Sequence, residues 1–412
     1  MDIAHFLLTL IALFGAAKLF GELAERVGQP AVLGELVAGV VVGVSGFHLV
    51  DPHDTTIHLL AELGVILLLF LIGLETDLDK LLAVGVSAMS VAVVGVALPF
   101  LFGYLVGQSL GYSSIVSIFV GATLTATSVG ITARVLSDLG HIHDPESQVI
   151  LGAAVADDVI GLIILTVVSS LGAGRELSLW VISKVTLIAF GFVIVAIVLG
   201  GYLAPYLIRA IAKLRVGKAL FFASIMFAFT LAYLAEAVGS AMIVGAFAAG
   251  LVLARTEKGH EIEREVHDIA QFFIPFFFVS VGAAVDLSAI NPFQPETRKF
   301  LVIGVLLTIV AIVGKVIAGW AAFDRKLRKV VIGVGMIPRG EVGLIFAQIG
   351  LSSGLLVSGL YSSVTLMIMV TTFITPPILR SLLGKRAAVP AEVEGVASLM
   401  TDSPFEDDEA GR

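Results

Sequence analysis

The sequence of 412 residues contains no cysteine. This absence excludes disulfides, thiolate metal sites and cysteine nucleophiles, and it leaves the redox compartment open. Charged residues are scarce as well, at 14% of the chain, against about 25% in an ordinary soluble domain. So few charges cannot cover a soluble surface, and a net charge of −8 lacks the basic surface that nucleic acids require. A soluble globular protein, a disordered chain and a nucleic-acid binder are therefore excluded.

Apolar residues are abundant, at 58% of the chain, and the mean hydropathy is +1.04. A helix that spans a membrane needs about 20 apolar residues, so this length can hold roughly a dozen or more. The apolar runs predict an all-α polytopic membrane protein with thirteen transmembrane helices. The predicted spans are roughly 3–20, 31–50, 59–74, 84–108, 114–136, 149–171, 180–208, 219–238, 241–254, 269–285, 300–323, 330–349 and 358–383.

The distribution of lysine and arginine over the predicted loops indicates an orientation. With the N-terminus outside, 19 of the 25 bases fall on the inner side, in loops, at the inner ends of spans or in the C-terminal tail, and 4 fall on the outer side. The other two, Lys315 and Arg339, stand deep inside spans. Because inner loops of membrane proteins carry an excess of bases, we expect the N-terminus outside and the C-terminus inside. We call the base-rich face the inner face and the opposite one the outer face.

Three segments of the first half recur in the second half at an offset of 209–212 residues. This offset equals seven spans, an odd number, so the second copy is predicted to be inserted upside down. Inverted-topology repeats are typical of secondary transporters, whose substrate site lies near the midplane where the copies meet. The paired segments are 32–39 with 243–250, 70–73 with 279–282, and 121–134 with 333–346.

The repeat predicts the organisation of the whole chain. We expect a transmembrane domain over residues 1–386, with repeat one at about 3–171, a linker helix at 180–208 and repeat two at about 219–383. Residues 387–412 are acidic and poor in aromatics, so they are predicted to form a disordered cytoplasmic tail.

Two adjacent carboxylates stand in the middle of the sixth predicted span, Asp157 and Asp158. Charged groups at membrane depth are costly and mark ion or proton pathways. Neighbouring helix positions point about 100° apart, so one carboxylate can meet a cation partner while the other faces a cavity. Lys315 in the eleventh span is the expected partner, because a nearby carboxylate keeps a buried lysine charged. A purely stabilising ion pair is the plainer interpretation, and the two roles can coexist.

Helix breakers stand at depth in two spans that are repeat mates. The fifth carries three threonines, a serine and a glycine, and the twelfth carries a proline and three glycines. Irregular backbone at this depth is tolerated only in a cavity wall or buried in protein, so we expect two discontinuous helices that cross. Arg339 and Glu341 would neutralise the half-helix ends, and Thr127 and Ser128 would offer oxygen ligands to a hard cation. Unbroken helices, with hydroxyls bonded back to their own backbone, are the alternative.

Other polar residues carry weaker signals. Glu35 and Glu75 lie near the ends of their spans, and we interpret both as structural. His141 and His143 fall in a predicted inner loop, where a solvated loop explains them better than a metal site. There is no phosphate loop, dinucleotide fingerprint or nucleophile elbow, so the sequence predicts neither a cofactor nor an enzyme.

Four motifs in order resemble the monovalent cation:proton antiporter-2 family, and within it the bacterial NapA-type sodium/proton antiporters. They are the segment 126–134 (ATSVGITAR), Asp157-Asp158, Gly314-Lys315 and the segment 338–344 (PRGEVGL). The resemblance implies the NhaA/NapA-like antiporter fold, with a core domain of two crossed discontinuous helices and a separate dimerisation domain. It also implies a homodimer surrounded by lipid in the bacterial cytoplasmic (inner) membrane.

By motif position, the resemblance assigns roles to single residues. Asp158 would be the ion- and proton-binding carboxylate, and Asp157 would pair with Lys315. Arg339 and Glu341 would support the crossing. Potassium/proton members typically carry Gln-Asp where this chain has Asp157-Asp158, which favours sodium.

Together these observations predict a secondary active transporter that exchanges Na⁺ or Li⁺ for H⁺. Asp158, with Thr127 beside it, would bind either a proton or a partly dehydrated cation, and this competition would couple the two fluxes. If the Asp157–Lys315 pair breaks, Lys315 can release a second proton, which would make the exchange electrogenic. K⁺/H⁺ exchange on the same scaffold is one alternative. A cation channel or an ion-gated receptor is another alternative, and ion flux without proton coupling would favour it.

Overall fold

The computed structural model describes residues 3–52, 54–172, 179–211, 218–285, 295–339, 343, 346–347, 350–351 and 355–384. Over these residues the regular structure is helical throughout, as predicted. The predicted tail at 387–412 and Glu341 lie outside the described residues. The helices are α1 (Ile3–Arg26), α2 (Ala31–Val42), α3 (Thr55–Glu75), α4 (Leu78–Ala83), α5 (Gly85–Ser109), α6 (Ser114–Thr123), α7 (Val129–Asp138), α8 (Pro145–Gly172), α9 (Leu179–Ile211), α10 (Ala219–Ala237), α11 (Met242–Ala254), α12 (Gly259–Ala283), α13 (Pro295–Ala318), α14 (Lys329–Gly335) and α15 (Ser358–Leu383).

Side-chain caps fix several helix starts at the two faces. Asp54 begins α3 by accepting hydrogen bonds from the N–H groups of Thr56 and Ile57, at 2.8 and 3.2 Å. Asp77 begins the short α4 in the same way, by accepting hydrogen bonds from the N–H groups of Asp79 and Lys80, at 3.0 and 3.3 Å. These backbone hydrogen bonds lower the pKa of Asp77, because they stabilise the charged carboxylate.

Among the described residues, eight helices are long and apolar enough to cross a membrane, and three further apolar helices have 10–17 residues. The count of thirteen spans stays a prediction. Several predicted bounds were wrong. The second span ends at Val42 instead of Val50, because turns at residues 43–49 follow α2, and α4 was not predicted at all. The fifth and twelfth spans are interrupted, as expected from their breakers.

The helices pack into two groups. The core group contains α5–α8 and α13–α15, in which α5 packs on α6, α8 and α13, and α13 packs on α15. The scaffold group contains α1–α3 and α10–α12, in which α3 packs on both α11 and α12, and α2 packs on α1 and α12. Helix α9 lies against α8, α10 and α11 and so connects the groups. Helices α2 and α3 of the scaffold group face α7 of the core group.

Close glycine contacts in the scaffold group recur between the two halves of the chain. A side chain on Gly34 would meet the carbonyl of Phe20, and one on Gly245, 211 residues later, would meet the carbonyl of Leu231. The offset is the same for both partners. Such contacts allow no Cβ, so glycine is required where the helices touch.

A second set of glycine contacts exchanges under the same offset. Gly39 lies against Gly282, and Gly73 lies against Gly250. Gly250 lies 211 residues after Gly39, and Gly282 lies 209 residues after Gly73. Each contact therefore maps onto the other when its first residue is shifted by the offset of the predicted repeat.

Candidate functional site

The centre of the core group is a crossing of two interrupted helices. Helix α6 ends at Thr123 and α7 begins at Val129, so residues 124–128 are not helical. Helix α14 ends at Gly335 and is followed by a turn at Met336 and by residues 337–339, which are not helical. The N–H of Ser128 donates to the carbonyl of Pro338 at 2.8 Å, so the two unwound segments are joined through their main chains.

Threonines satisfy the end of α14 from the opposite segment. Thr132 Oγ donates to the carbonyl of Gly335 at 2.6 Å, and Thr127 Oγ lies 3.5 Å from the carbonyl of Met336. Because α14 ends at Gly335, these carbonyls lie at its C-terminal end, which carries a negative partial charge. The structure thus brings Thr127 and Ser128 to the crossing, as predicted for a broken fifth span.

Arg339 closes the other side of the crossing. Its side chain is fully buried, and Nη1 donates to the carbonyl of Thr125 at 2.9 Å and to that of Ala126. Thr372 Oγ of α15 donates in turn to the carbonyl of Arg339. A guanidinium on freed carbonyls offsets the negative end of α6. Arg339 therefore caps the C-terminal end of α6 at the crossing.

Asp157 and Lys315 form the expected ion pair. Lys315 Nζ lies 3.3 Å from Asp157 Oδ2, and the two side chains are 0% and 1% exposed. The pair joins α8 to α13. Gly95 of α5 lies beside the lysine, since a Cβ there would be at ordinary contact distance, 3.5 Å, from Lys315 Nζ. Burial of a lysine in a membrane interior requires such a carboxylate.

Asp158 follows on α8 and is only partly buried, in contrast to Asp157. Its charge and that of Asp157 both act on Lys315, and Arg339 lies within electrostatic range of Asp157. The two carboxylates, the lysine and the crossing therefore belong to one neighbourhood. The partner predicted for the other half-helix end, Glu341, is outside the described residues.

An outer cavity of about 170 Å³ lies between α3 and α12 of the scaffold group and α15 of the core group. Val65 and Phe277 line it and also pack against Gly130 of α7. The polar residues of its wall are His58, Glu62, Ser280, Thr365 and Thr372. Because Thr372 bonds to Arg339, the cavity reaches the support of the crossing from the outer face.

Some residues of the site were not predicted from the sequence. Thr132 and Thr372 cap the crossing, yet threonines are common in apolar helices and these two stand outside the breaker clusters. Pro99 of α5 packs on Gly314, next to Lys315, and a Gly-x₃-Pro spacing from Gly95 to Pro99 is the pattern that would have pointed to it.

One prediction at the inner face was wrong. His141 is buried rather than solvated, and its Nδ1 lies 2.7 Å from Asp144 Oδ2. Arg328, which precedes α14, reaches both Asp144 at 3.6 Å and Glu146 at 3.1 Å. The loop is covered by a residue that is distant in the sequence, and no local pattern reveals such a contact.

A family model described as "Sodium/hydrogen exchanger, transmembrane" matches residues 9–385, which is most of the chain. This chain belongs to the sodium/hydrogen exchanger family. The match covers the whole interval that carries the four sequence motifs, from residue 126 to residue 344. The resemblance to cation:proton antiporters is thereby confirmed at the level of the family.

Relatives of this exchanger are similar over nearly their full length. The high-affinity Na⁺/H⁺ antiporter NhaS3 of Synechocystis sp. is 43% identical, over 92% of this chain and 90% of the relative. The Na⁺/H⁺-K⁺ antiporter GerN of Bacillus cereus is 37% identical, over 90% and 94%. Among solved structures, the sodium proton antiporter MjNhaP1 of Methanocaldococcus jannaschii superposes with a TM-score of 0.65 at 15% identity, covering 93% of this chain and 99% of that one. That likeness shows an antiporter fold.

Proposed function

We propose that this exchanger transports Na⁺ or Li⁺ in exchange for H⁺ by alternating access, with the cation and the proton competing for Asp158. The observation that carries the proposal is the difference between two adjacent carboxylates beside the crossing. Asp157 is sealed against Lys315, whereas Asp158 keeps part of its surface exposed. An accessible carboxylate at membrane depth uses the same oxygens for H⁺ and for Na⁺, so the two ligands exclude each other.

The unwound segment at 124–128 supports the cation side of this proposal. The Thr127 hydroxyl makes only a long contact of 3.5 Å, and the Ser128 hydroxyl does not cap α7. Both oxygens are therefore available to a partly dehydrated hard cation. Arg339, with Glu341 by its place in the motif, holds the segment in position.

Lys315 is proposed to carry a second proton. A cation on Asp158 adds positive charge beside Lys315. In a low-dielectric interior this added charge disfavours the protonated form of the lysine. Release of that proton when the Asp157–Lys315 pair breaks gives two protons for one cation, and hence an electrogenic exchange.

We further propose a homodimer in the bacterial cytoplasmic membrane, with the N-terminus outside and the C-terminus inside. Apolar side chains on α1 and α10 are largely exposed in the single chain, and a partner or lipid would cover them. Inverted repeats, joined by a linker at 180–208, are supported by glycine contacts that exchange at offsets of 209–211 residues. Residues 387–412 stay a predicted cytoplasmic tail.

The test is a pH-gradient-driven exchange assay in proteoliposomes with Na⁺, Li⁺ and K⁺. Wild type should show Na⁺- and Li⁺-dependent proton flux, and Asp158→Asn should abolish it because the amide cannot exchange a proton. Asp268→Asn is the matched control, since that side chain is 92% exposed. Robust Na⁺-dependent flux in Asp158→Asn would sink the assignment. Unchanged electrogenicity in Lys315→Gln would show that Lys315 does not carry the second proton.

K⁺/H⁺ exchange is the second candidate. The name of the relative GerN includes K⁺ as well as Na⁺, and GerN is 37% identical to this chain. Competition between cations in the same assay separates the two candidates. Uptake of K⁺ at cation concentrations at which Na⁺ transport is saturated would favour a site that binds both cations.

A further inference from the structure

Three buried threonines of α15 direct their hydroxyls to different places. Thr371, Thr372 and Thr375 are each at most 1% exposed. Thr371 Oγ lies 2.8 and 2.9 Å from carbonyls of the preceding turn, and Thr375 Oγ donates to the carbonyl of Thr371 at 2.8 Å. Thr372 Oγ instead donates to the carbonyl of Arg339, outside its own helix. A threonine within a helix ordinarily bonds back to its own main chain, so Thr372 is the exception that needs a reason.

The carbonyl that Thr372 reaches belongs to the segment that supports the crossing. Arg339 is fully buried, and its guanidinium donates to the carbonyls of Thr125, at 2.9 Å, and Ala126. These two residues directly precede Thr127, whose oxygen is a proposed cation ligand. A continuous line of hydrogen bonds therefore runs from α15 through Arg339 to the unwound segment at the proposed cation site.

Two prolines make α15 depend on its neighbours at this point. Pro376 and Pro377 lie inside α15 and have no N–H group. The carbonyls of Thr372 and Phe373 therefore receive no main-chain hydrogen bond from the next turn, where a regular helix supplies one. A helix bends most easily at such a gap. The bond from Thr372 to Arg339 consequently fixes α15 and the unwound segment against each other.

Thr372 also stands where the outer cavity meets this support. It lines the cavity of about 170 Å³, on the wall that α15 contributes. Its hydroxyl proton is used by the carbonyl of Arg339, and the residue is 1% exposed. Direct ligation of a cation by the Thr372 oxygen is a rival role, since hydroxyl oxygens also suit hard cations. Nearly complete burial favours the support role.

We propose that Thr372 is a positioning residue for the cation, which acts through Arg339 on the unwound segment at 124–128. Without the hydroxyl, the buried carbonyl of Arg339 loses a donor, and the strand that carries the guanidinium shifts to regain one. The segment that presents Thr127 then loses its alignment. This inference rests on the proposed exchange at Asp158 and deepens it, by naming a residue that sets the affinity for the cation.

Loss of the hydroxyl should weaken cation binding and spare the proton. Thr372→Val keeps the shape of the side chain and should raise the apparent KM for Na⁺ about fivefold, the factor expected for one lost hydrogen bond. The maximal rate at saturating Na⁺ should change by less than about twofold, because a proton binds Asp158 without any oxygen of the segment. Thr372→Ser should restore the wild-type KM. Thr371→Val is the matched control, since it removes a buried hydroxyl that bonds back to its own helix.

A double variant separates positioning from direct ligation. Arg339→Lys keeps the positive charge and loses the forked geometry of the guanidinium. If Thr372 acts through Arg339, Thr372→Val should raise the KM clearly less in the Arg339→Lys background than in the wild type, because both changes disturb one support. A full fivefold increase in that background would show that Thr372 acts independently of Arg339, and it would overturn the inference.

A second measurement needs no transport. Na⁺ that binds the folded exchanger raises its Tm in detergent, so the Na⁺ concentration required for a given rise reports the affinity. At constant ionic strength, Thr372→Val should require about fivefold more Na⁺ than the wild type, and Thr371→Val should require the same. If Thr372→Val does not fold, Thr372→Cys replaces it, because the thiol is a weaker donor, and the increase should then be smaller.

Four results would overturn the inference: an unchanged KM in Thr372→Val, an equal change in Thr371→Val, no recovery in Thr372→Ser, or a lower Tm without a change in Na⁺ affinity. The last would make Thr372 a purely structural residue. Absence of Na⁺-dependent proton flux in the wild type would instead contradict the proposed function. The rise of Tm with Na⁺ would still test Thr372 in that case, so the two failures are distinguishable.

Discussion

Two clusters of buried charge in this exchanger differ in what they connect. Asp157 and Lys315 join α8 to α13 inside the core group, with side chains 1% and 0% exposed. Arg134 faces carboxylates of the scaffold group, and its side chain keeps an exposure of 20%. A pair inside one group stays together when the groups move, whereas charges across their boundary separate. Complete burial therefore marks the contact within one group here, and partial burial marks the contact at the boundary between the groups.

The largest effect on stability is expected at Asp157. Asp157→Asn removes the carboxylate that contacts Lys315, and loss of one partner of a buried ion pair costs about 3–5 kcal/mol. Thermal unfolding in detergent should shift to clearly lower temperature. Adding Lys315→Gln should recover part of the loss, since the two changes remove the same interaction. Additive losses in the double variant would contradict an interaction between Asp157 and Lys315. The exposed Asp268→Asn serves as the control.

A smaller loss is expected at Arg134. Because its side chain is one-fifth exposed, Arg134→Gln should cost about 1–2 kcal/mol in the same unfolding measurement. Asp157→Asn should cost clearly more in the same measurement. A loss at Arg134 equal to that of Asp157→Asn would erase the difference between the clusters.

The smallest effect is expected at Arg26. Its ion pair with Glu22 is exposed and lies within one helix, so Arg26→Gln should change stability by less than about 0.5 kcal/mol. Added salt should also reduce the contribution of Arg134 to stability more than that of the Asp157–Lys315 pair, because screening acts on partly exposed charges and spares the buried pair. A strong salt dependence of the Asp157–Lys315 contribution would show that this pair is not sealed.

The sequence was sufficient for the elements whose physical signal is local. The pairing of Asp157 with Lys315 follows from the cost of any charge at membrane depth, and the crossing follows from the breakers around Thr127 and its repeat mate. The bounds of α2 were missed because residues 44–50 are mostly apolar, although the chain turns at Gly43 and Gly46. Hydropathy reports how apolar a segment is, and it does not show where a helix ends inside an apolar run.

The long-range contacts were beyond sequence reasoning. Arg339 was expected to neutralise a half-helix end, but its sequence neighbours do not indicate that it donates to the carbonyls of Thr125 and Ala126, more than 200 positions away. Glu35 and Glu75 were interpreted as structural because both lie near the ends of their spans. Their shared neighbour, Arg134, belongs to another group of helices, and that proximity exists only in the folded chain.

The main-chain bond between Ser128 and Pro338 has a consequence for ion recognition. It joins the two unwound segments, and Thr132 and Arg339 reinforce it, so the proposed oxygen ligands are held in one rigid frame. A frame that does not deform presents the same ligand geometry whichever way it faces. The preference among Na⁺, Li⁺ and K⁺ should therefore be identical for ions that arrive from either side of the membrane, even if their apparent affinities differ.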